Sequence, residues 1–495
     1  MKRLAFALCF AATPALAELT PEDLIQSWES YYAQMNGAII IGSRETDGDT
    51  LVLRDLEMAM EMPDMTLVIP YPFVRLTPLP NGDIRIDLPA QNRNTVIMNL
   101  PDGPVEQTTE ITTSGQNILA TGAPGNITYL ISFAQVDLTQ TAAYRVATTE
   151  RNFTSGGLDG QFSLTAQENG EQALSGAFDI ADLTGSWLTT LTADNTGISQ
   201  GSVETPRLQA TVDMALPANF GAEFSAGNSV PRGTGMDIAV STGPVTLHLD
   251  GAENDPDFAF DATSGGTAFG IGLDGAIASY LLDFVDLETT VKNPALPVRE
   301  SSASLARALL SLSLPLRPTE RAEPFSLTLR LHEAILGETL WGIFDPVRVL
   351  GRGPAALDLA LSGTARMNFD FTKPDRKADL SGPPGTIETF SLDEFSFSYE
   401  GMEATGSGKM ILDNAAPIPT TGMPDMQGNF DFGIIGAMAL LDKIARLPGI
   451  DPTIAFGAKG ALGMFARPTE TPDSFESSVE FSNGGGITVN GMQIR

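Results

Sequence analysis

Cysteine is nearly missing from this 495-residue chain, and the single one, Cys9, stands among the first ten residues. Histidine is almost as scarce, with His248 and His332 alone. Beyond residue 17 no stretch reaches the roughly 18 uninterrupted apolar residues that a membrane-spanning helix requires, so no transmembrane segment is expected. These shortages exclude a good deal. Disulfides cannot brace the fold, thiolate nucleophiles and zinc–thiolate sites have no ligands, and acyl-transfer chemistry has only two isolated imidazoles and no G-x-S-x-G elbow. Basic residues are few as well, 29 against 61 acidic, for a formal net charge of −32. Such a field repels nucleic acid and anionic headgroups over the bulk of the surface, so neither is expected as a general partner.

What the chain does hold begins with a leader. Lys2 and Arg3 precede the apolar run Leu4 to Ala12 and the small-residue pattern Ala15-Leu16-Ala17. That order marks a cleavable secretory signal, so residues 1–17 are expected to be removed and the protein to work in the periplasm from Glu18 onward. The remaining length suits two or more cores of ordinary domain size. A soft boundary at Asn293-Pro294-Ala295-Leu296-Pro297 divides 18–297 from 298–495.

Thr20-Pro21-Glu22-Asp23 supplies an N-cap hydroxyl, a first-turn proline and a carboxylate three residues on, ahead of Leu24, Trp28, Tyr31, Tyr32 and Met35. This predicts an amphipathic helix over 21–36. The period then shortens to two. Residues 50–56, 83–88, 161–166, 245–250, 257–261, 325–331, 368–371 and 395–399 alternate apolar with polar side chains, as half-buried strands do. Turn signals separate them at Asp47-Gly48, Asn81-Gly82, Asp102-Gly103, Pro124-Gly125-Asn126, Asp159-Gly160 and Asn169-Gly170. Helices return at Ile434 to Arg446 and Thr453 to Ala466, and the runs 477–481 and 486–494 read as a closing hairpin. Gly457, Gly460 and Gly463 cost helix propensity, so a close contact is expected to compensate. The fold class expected is mainly β: an elongated antiparallel sheet or sandwich with an N-terminal helix and a C-terminal helix pair.

Several motifs dissolve on inspection. Gly270-Ile271-Gly272-Leu273-Asp274-Gly275 matches G-x-G-x-x-G, but Gly265-Gly266 precedes it and Asp286 comes too early for a ribose contact, so these glycines read as sheet turns. In Gly406-Ser407-Gly408-Lys409 the first P-loop glycine is replaced by Glu403 and the magnesium-binding hydroxyl by Met410. Asp47-Gly48-Asp49 and Asp255-Pro256-Asp257 lack the calcium-loop spacing and read as turn tips. No metal or other cofactor is expected.

The segments 324–331, 338–346 (Glu-Thr-Leu-Trp-Gly-Ile-Phe-Asp-Pro), 353–359, 463–468 and 489–495, with the leader and the Trp28 helix, resemble Domain of Unknown Function family 2125, exported proteins of alphaproteobacteria. Where that family carries Leu-Pro-Arg-Asp-Pro, this chain has Leu350-Gly351-Arg352-Gly353-Pro354. The resemblance implies no activity. The strand-rich body is also similar in architecture to AsmA-like envelope proteins, whose long curved sheets are associated with lipid handling; that implies a fold and fixes no residue.

The expected function is therefore non-enzymatic: an exported envelope protein whose apolar sheet face holds a lipid or other amphiphile, with a protein–protein scaffold of the envelope as the alternative and a hydrolase third. Candidate apolar contacts are Trp341 and Phe344, the strand methionines Met58, Met60 and Met62, and Ile435, Met438 and Leu441 of the 434–446 helix. For each of them ordinary core packing competes with a contact role. His248 and His332 sit inside strand-like alternations, which favours cross-strand roles over catalysis.

Overall fold

The computed structural model describes residues 18–495 apart from 63–64, 101–102, 146, 192–196, 227–229, 254–257, 296, 374–381, 416 and 419–421. Residues 1–17, where the secretory signal is expected and Cys9 stands, Asp102 and the expected turn tip at residues 255–257 lie outside the described residues. Helix α1 (Pro21–Gln34) starts where its capping signal stands: the Thr20 amide donates to Asp23 Oδ2 at 2.9 Å and the Asp23 amide to Thr20 Oγ1 at 3.3 Å. Strands β1 (Gly37–Asp47), β2 (Thr50–Met62) and β3 (Met65–Pro78) follow as a meander.

Next the ladder is carried by short strands lying end to end: β4 (Ile84–Asp87) with β5 (Gln91–Leu100), β6 (Gly103–Ser114) with β7 (Asn117–Ala123), β8 (Asn126–Phe133) with β9 (Gln135–Ala143), and β10 (Ala147–Ser155) with β11 (Gly157–Ala166). Two long strands succeed them, β12 (Gln172–Leu191) and β13 (Gly197–Leu216). After the short helix α2 (Phe220–Ser225) come two more such pairs, β14 (Gly235–Thr242) with β15 (Val245–Glu253) and β16 (Phe258–Ser264) with β17 (Gly266–Asp274). The meander is then simple: β18 (Ile277–Lys292), β19 (Glu300–Pro315), β20 (Glu323–Leu336), α3 (Glu338–Phe344), β21 (Ala355–Met367), β22 (Gly385–Tyr399), β23 (Met402–Asp413) and β24 (Asp425–Ile435). Helices α4 (Ala437–Ile444) and α5 (Pro452–Phe465) precede the last strands, β25 (Arg467–Pro468), β26 (Ser474–Ser482), β27 (Gly486–Val489) and β28 (Met492–Gln493).

Every pairing is antiparallel, and all the strands belong to one sheet. About 20 strand positions spaced about 4.8 Å apart give it a width of roughly 95 Å. Its first part is curled. Helix α1 has 14 residues, about 21 Å, yet it packs on β1, β2 and β3, donates from Trp28 Nε1 to the Tyr129 hydroxyl of β8 at 2.8 Å, and reaches the Leu216 carbonyl of β13 through Gln34 at 3.0 Å. Flat strands from β1 to β13 would spread over roughly 38 Å, so the sheet wraps around the helix.

The alternation has a recurrent break. Asp55, Asp182, Asp286 and Glu333 stand inside β2, β12, β18 and β20 with φ of 51°, 46°, 49° and 51°. Aspartate tolerates this left-handed backbone better than most residues. Gly42, Gly156 and Gly265 face the three aspartates, and a side chain at Gly42 would press on the Asp55 Cβ at 3.0 Å. The residues two before and one after such a break share a face: Leu53 and Leu56 flank Asp55 and both lie in the same core.

Several sequence expectations need correction here. Asp159-Gly160 is no turn but part of β11, where a side chain at Gly160 would collide with the Phe178 ring. Gly270 and Gly272 lie within β17, and only Gly275, at φ 59°, turns the chain. Residues 368–371 form a bend, not a strand, closed by the Asp370 carboxylate accepting from the Thr372 amide at 3.0 Å. The helix expected from Ile434 is shorter, because Ile434 and Ile435 belong to β24 and Gly436, at φ 73°, separates them from α4. The division expected at residue 297 falls in the turn between β18 and β19, which pair from Lys292↔Glu300 to Ile277↔Pro315.

Candidate functional site

Residues paired across antiparallel strands share a face, so the two faces of the sheet can be read directly. One row runs Ile84, Ala120, Tyr129, Phe162, Gly176, Val212, Ile238, Ile271, Tyr280, Leu312, Leu327, Leu361, Leu392, Gly408, Phe430, Val479, Val489. Tyrosine hydroxyls are its only polar groups. The neighbouring row, on the opposite face, runs Thr128, Ser163, Ser175, Asp213, Asp237, Gly272, Ser279, Ser313, Ser326, Ser362, Ser391, Lys409, Asn429, Glu480, Thr488. Along these two rows the sheet, roughly 95 Å across, is apolar on its inner face and polar on its outer one.

The inner face is covered at the N-terminal end. Leu24 and Ile25 of α1 close over Leu53, Leu56, Val74, Leu76, Ile84 and Ile127. Leu53, Leu76 and Ile84 are 0 % exposed. Burial pushes the pKa of Tyr129 in this core up to about 12, although the hydrogen bond from Trp28 opposes the shift. Around β17 to β19 the same face is bare: Phe269 is 40 %, Tyr280 44 %, Leu282 38 %, Leu310 37 % and Leu314 40 % exposed. These side chains are cross-strand neighbours, Phe269 with Leu282 and Leu282 with Leu310. Together they form a contiguous exposed apolar patch, the kind of surface from which interaction sites are commonly built.

Four aromatic rings on this face lie over glycines. Phe153 pairs with Gly185, Phe325 with Gly363 and Phe432 with Gly406, and a Cβ on any of these glycines would fall 2.6 Å from the facing ring. Trp187 covers Gly201 in the same way. Rings that fold onto a glycine opposite keep their area on the sheet and leave the space above it free. The decoy Gly406-Ser407-Gly408-Lys409 is explained by this arrangement, since its two glycines lie against Phe432 and Phe430.

On the outer face cross-strand charge pairs knit the strands together: Arg207 with Asp179, Arg307 with Asp283 at 2.8 Å, and Arg366 with Glu388 at 2.9 Å. His248 Nδ1 lies 2.6 Å from Asp261, its register partner, and Nε2 lies 3.2 Å from Asp250. His332 Nε2 lies 2.8 Å from Asp358. Among the described residues no group of three or more His, Asp or Glu side chains is placed to hold a metal ion.

The remaining sequence candidates divide. Met58 packs against the α1 core, Met60 pairs with Leu67, and the side chain of Met62 is outside the described residues. Trp341 is buried in a second core with Leu350 and Leu447, its ring 4.8 Å from that of Phe344. Arg352 stacks on Trp341 and donates to Asp345 Oδ2 at 2.8 Å. Asp345 is itself fully buried, and burial alone would raise its pKa. Arg352 and the amides of Val349 and Leu350 outweigh burial and hold the carboxyl below its usual range. On α4, Leu440 and Ile444 face this core, Met438 and Leu441 are half-buried, and Ile435 ends β24 at the surface. Among the described residues the contact expected to compensate the glycines of α5 is missing: a Cβ at Gly457, Gly460 or Gly463 would meet nothing within 4 Å. Helix α5 rests beside α4 with Ile454, Phe456 and Met464 exposed.

The family model described as an uncharacterized protein conserved in bacteria matches residues 188–489, which span the bare part of the inner face and the Asp345 core. The chain belongs to Domain of Unknown Function family 2125. The match begins inside β12, so α1 with its Trp28 lies before the matched residues, and residues 490–495 lie after them. No curated protein and no solved structure matches the chain. Among the described residues no helix is long and apolar enough to cross a membrane.

Proposed function

We propose that this family 2125 protein is an exported, non-enzymatic binding protein of the bacterial envelope that holds the acyl chains of an amphiphile along its inner face. One observation carries the reading: across most of the sheet a fully apolar row is uncovered in mid-sheet, where Phe269, Tyr280, Leu282, Leu310 and Leu314 stand exposed in one patch. Ordinary cores are filled to crystal density, and this face is not. Burial of one methylene is worth about 0.8 kcal/mol, so a long chain laid on the patch gains enough to bind, while the acidic outer face keeps the loaded protein in solution. A scaffold role is supported less well, because it calls for a filled inner face and an unpaired edge.

The test is mass spectrometry of organic extracts from protein purified out of its native periplasm, with Leu282→Gln and Leu310→Gln beside the unmodified chain. Co-purified lipid is expected, reduced several-fold in the variants at unchanged melting temperature. Lipid no more abundant than on an unrelated periplasmic protein defeats the proposal.

A further inference from the structure

The inner face is not apolar everywhere. By register it carries two strand arginines. Arg44, opposite Leu53, is ion-paired to Glu22 and Glu29 of α1 at 3.1 and 3.7 Å. Arg151 of β10 is different. It lies on the side of Ala147, Thr149 and Phe153, the less exposed side of its strand, and donates from Nη1 to Gln140 Oε1 at 2.6 Å. Among the described residues it makes no ion pair, whereas Arg54, Arg93, Arg207, Arg307 and Arg330 on the outer face each meet a carboxylate. Other described arginines also lack an ion pair, Arg75 of β3 among them, but of the two on the inner face Arg151 is the one without a carboxylate.

Its surroundings are those of a receptor for an anion. Asn94, Thr109, Gln140, Arg151 and Trp187 form one continuous cross-strand row. Gln140 Nε2 reaches Thr109 Oγ1 at 3.4 Å, which turns Oε1 toward Arg151. A guanidinium has five N–H donors in a planar fork suited to phosphate or carboxylate oxygens, and one of them has a described protein acceptor here. The other guanidinium nitrogens of the half-buried Arg151 are not themselves buried, so a ligand can reach them. Beyond Trp187 the row turns apolar, through Gly201 to Leu249 and Phe260.

We infer that Arg151, held by Gln140 and Thr109, binds the anionic headgroup of the amphiphile, a phosphoester or carboxylate, while the acyl chains run from Trp187 toward Leu249 and the bare patch. This assignment rests on the acyl-binding reading proposed above and adds polarity and headgroup selectivity to it. The orientation follows from the row itself, with donors at one end and hydrocarbon at the other.

The test compares phosphatidylglycerol, diacylglycerol with the same chains, and glycerol 3-phosphate as displacers of a fluorescent acyl probe from the full mature chain. The unmodified protein is expected to bind phosphatidylglycerol about tenfold more tightly than diacylglycerol, the size of one charge-assisted hydrogen-bonded contact. Arg151→Gln abolishes that preference and leaves diacylglycerol binding as it was. Gln140→Glu, which gives Arg151 an internal carboxylate, abolishes it too and serves should Arg151→Gln fail to fold. A preference that survives both substitutions overturns the headgroup assignment and leaves the acyl reading standing. Binding of neither lipid overturns both. Glycerol 3-phosphate that binds as tightly as the phospholipid, and loses binding in Arg151→Gln, overturns the lipid assignment in favour of a free phosphoester.

Discussion

Two carboxylates bracket His248, and the hydrogen bond to Asp261, followed by that to Asp250, raises its pKa above the ordinary value. With the folded value above the unfolded one near 6.5, the contact stabilises in full below that pH and its contribution is lost as pH rises through the folded value. Nuclear magnetic resonance titration is expected to place the His248 midpoint above that of His248 in the urea-unfolded chain, and Asp261→Asn to bring it back down; a midpoint unmoved by Asp261→Asn contradicts the assignment. Single residues were legible in the sequence where their role follows from alternation alone. His248 and His332 sit in strands as their neighbours imply, and the polar rows are what a period of two dictates. Gly160 was misread because a glycine beneath a ring and a glycine in a turn look alike until the partner strand is known. Arg151 gave no signal, since Thr148-Thr149-Glu150-Arg151-Asn152 is polar at every position and cannot tell which side faces inward.

Among the elements, the capped helix α1, the closing hairpin of β26 and β27 and the strands with clean alternation are written in local sequence. The breaks at acidic residues are written there too, in a form that period-two reading misses. Leu53-Arg54-Asp55-Leu56, Ile180-Ala181-Asp182-Leu183, Phe284-Val285-Asp286-Leu287 and Leu331-His332-Glu333-Ala334 all read apolar, any, acidic, apolar. A left-handed residue shifts the alternation by one while keeping both flanking side chains inward, so the motif marks a bend in a continuing strand. Asp286→Val is expected to cost about 1–2 kcal/mol in urea unfolding because a β-branched residue resists that backbone, and Asp286→Asn less than about 0.5 kcal/mol. Equal costs for the two would show that the backbone at 286 is not the constraint. The extent of α4 was misjudged because Ile434 and Ile435 extend its apolar run, and only the left-handed Gly436 reveals where the strand stops.

At the scale of the molecule each strand leans on its hydrogen-bonded neighbours, so stability is expected to be distributed locally, as it is in stacked repeat proteins. Leu24→Asp, which puts a charge into the α1 core, should lower amide protection in β2 to β8 at least tenfold in hydrogen exchange and leave β20 to β24 as they were; uniform loss would show a single cooperative unit. Sequence composition pointed to one greasy and one wet face, but it could not say that the greasy one lies open in mid-sheet, because exposure depends on what fails to pack there. The rings laid over glycines add a last consequence. On the proposed role, rings laid flat over Gly185, Gly201, Gly363 and Gly406 would give the tail of a guest no step to register against at those places, so molecules differing only by a few methylenes would be told apart chiefly by their other end.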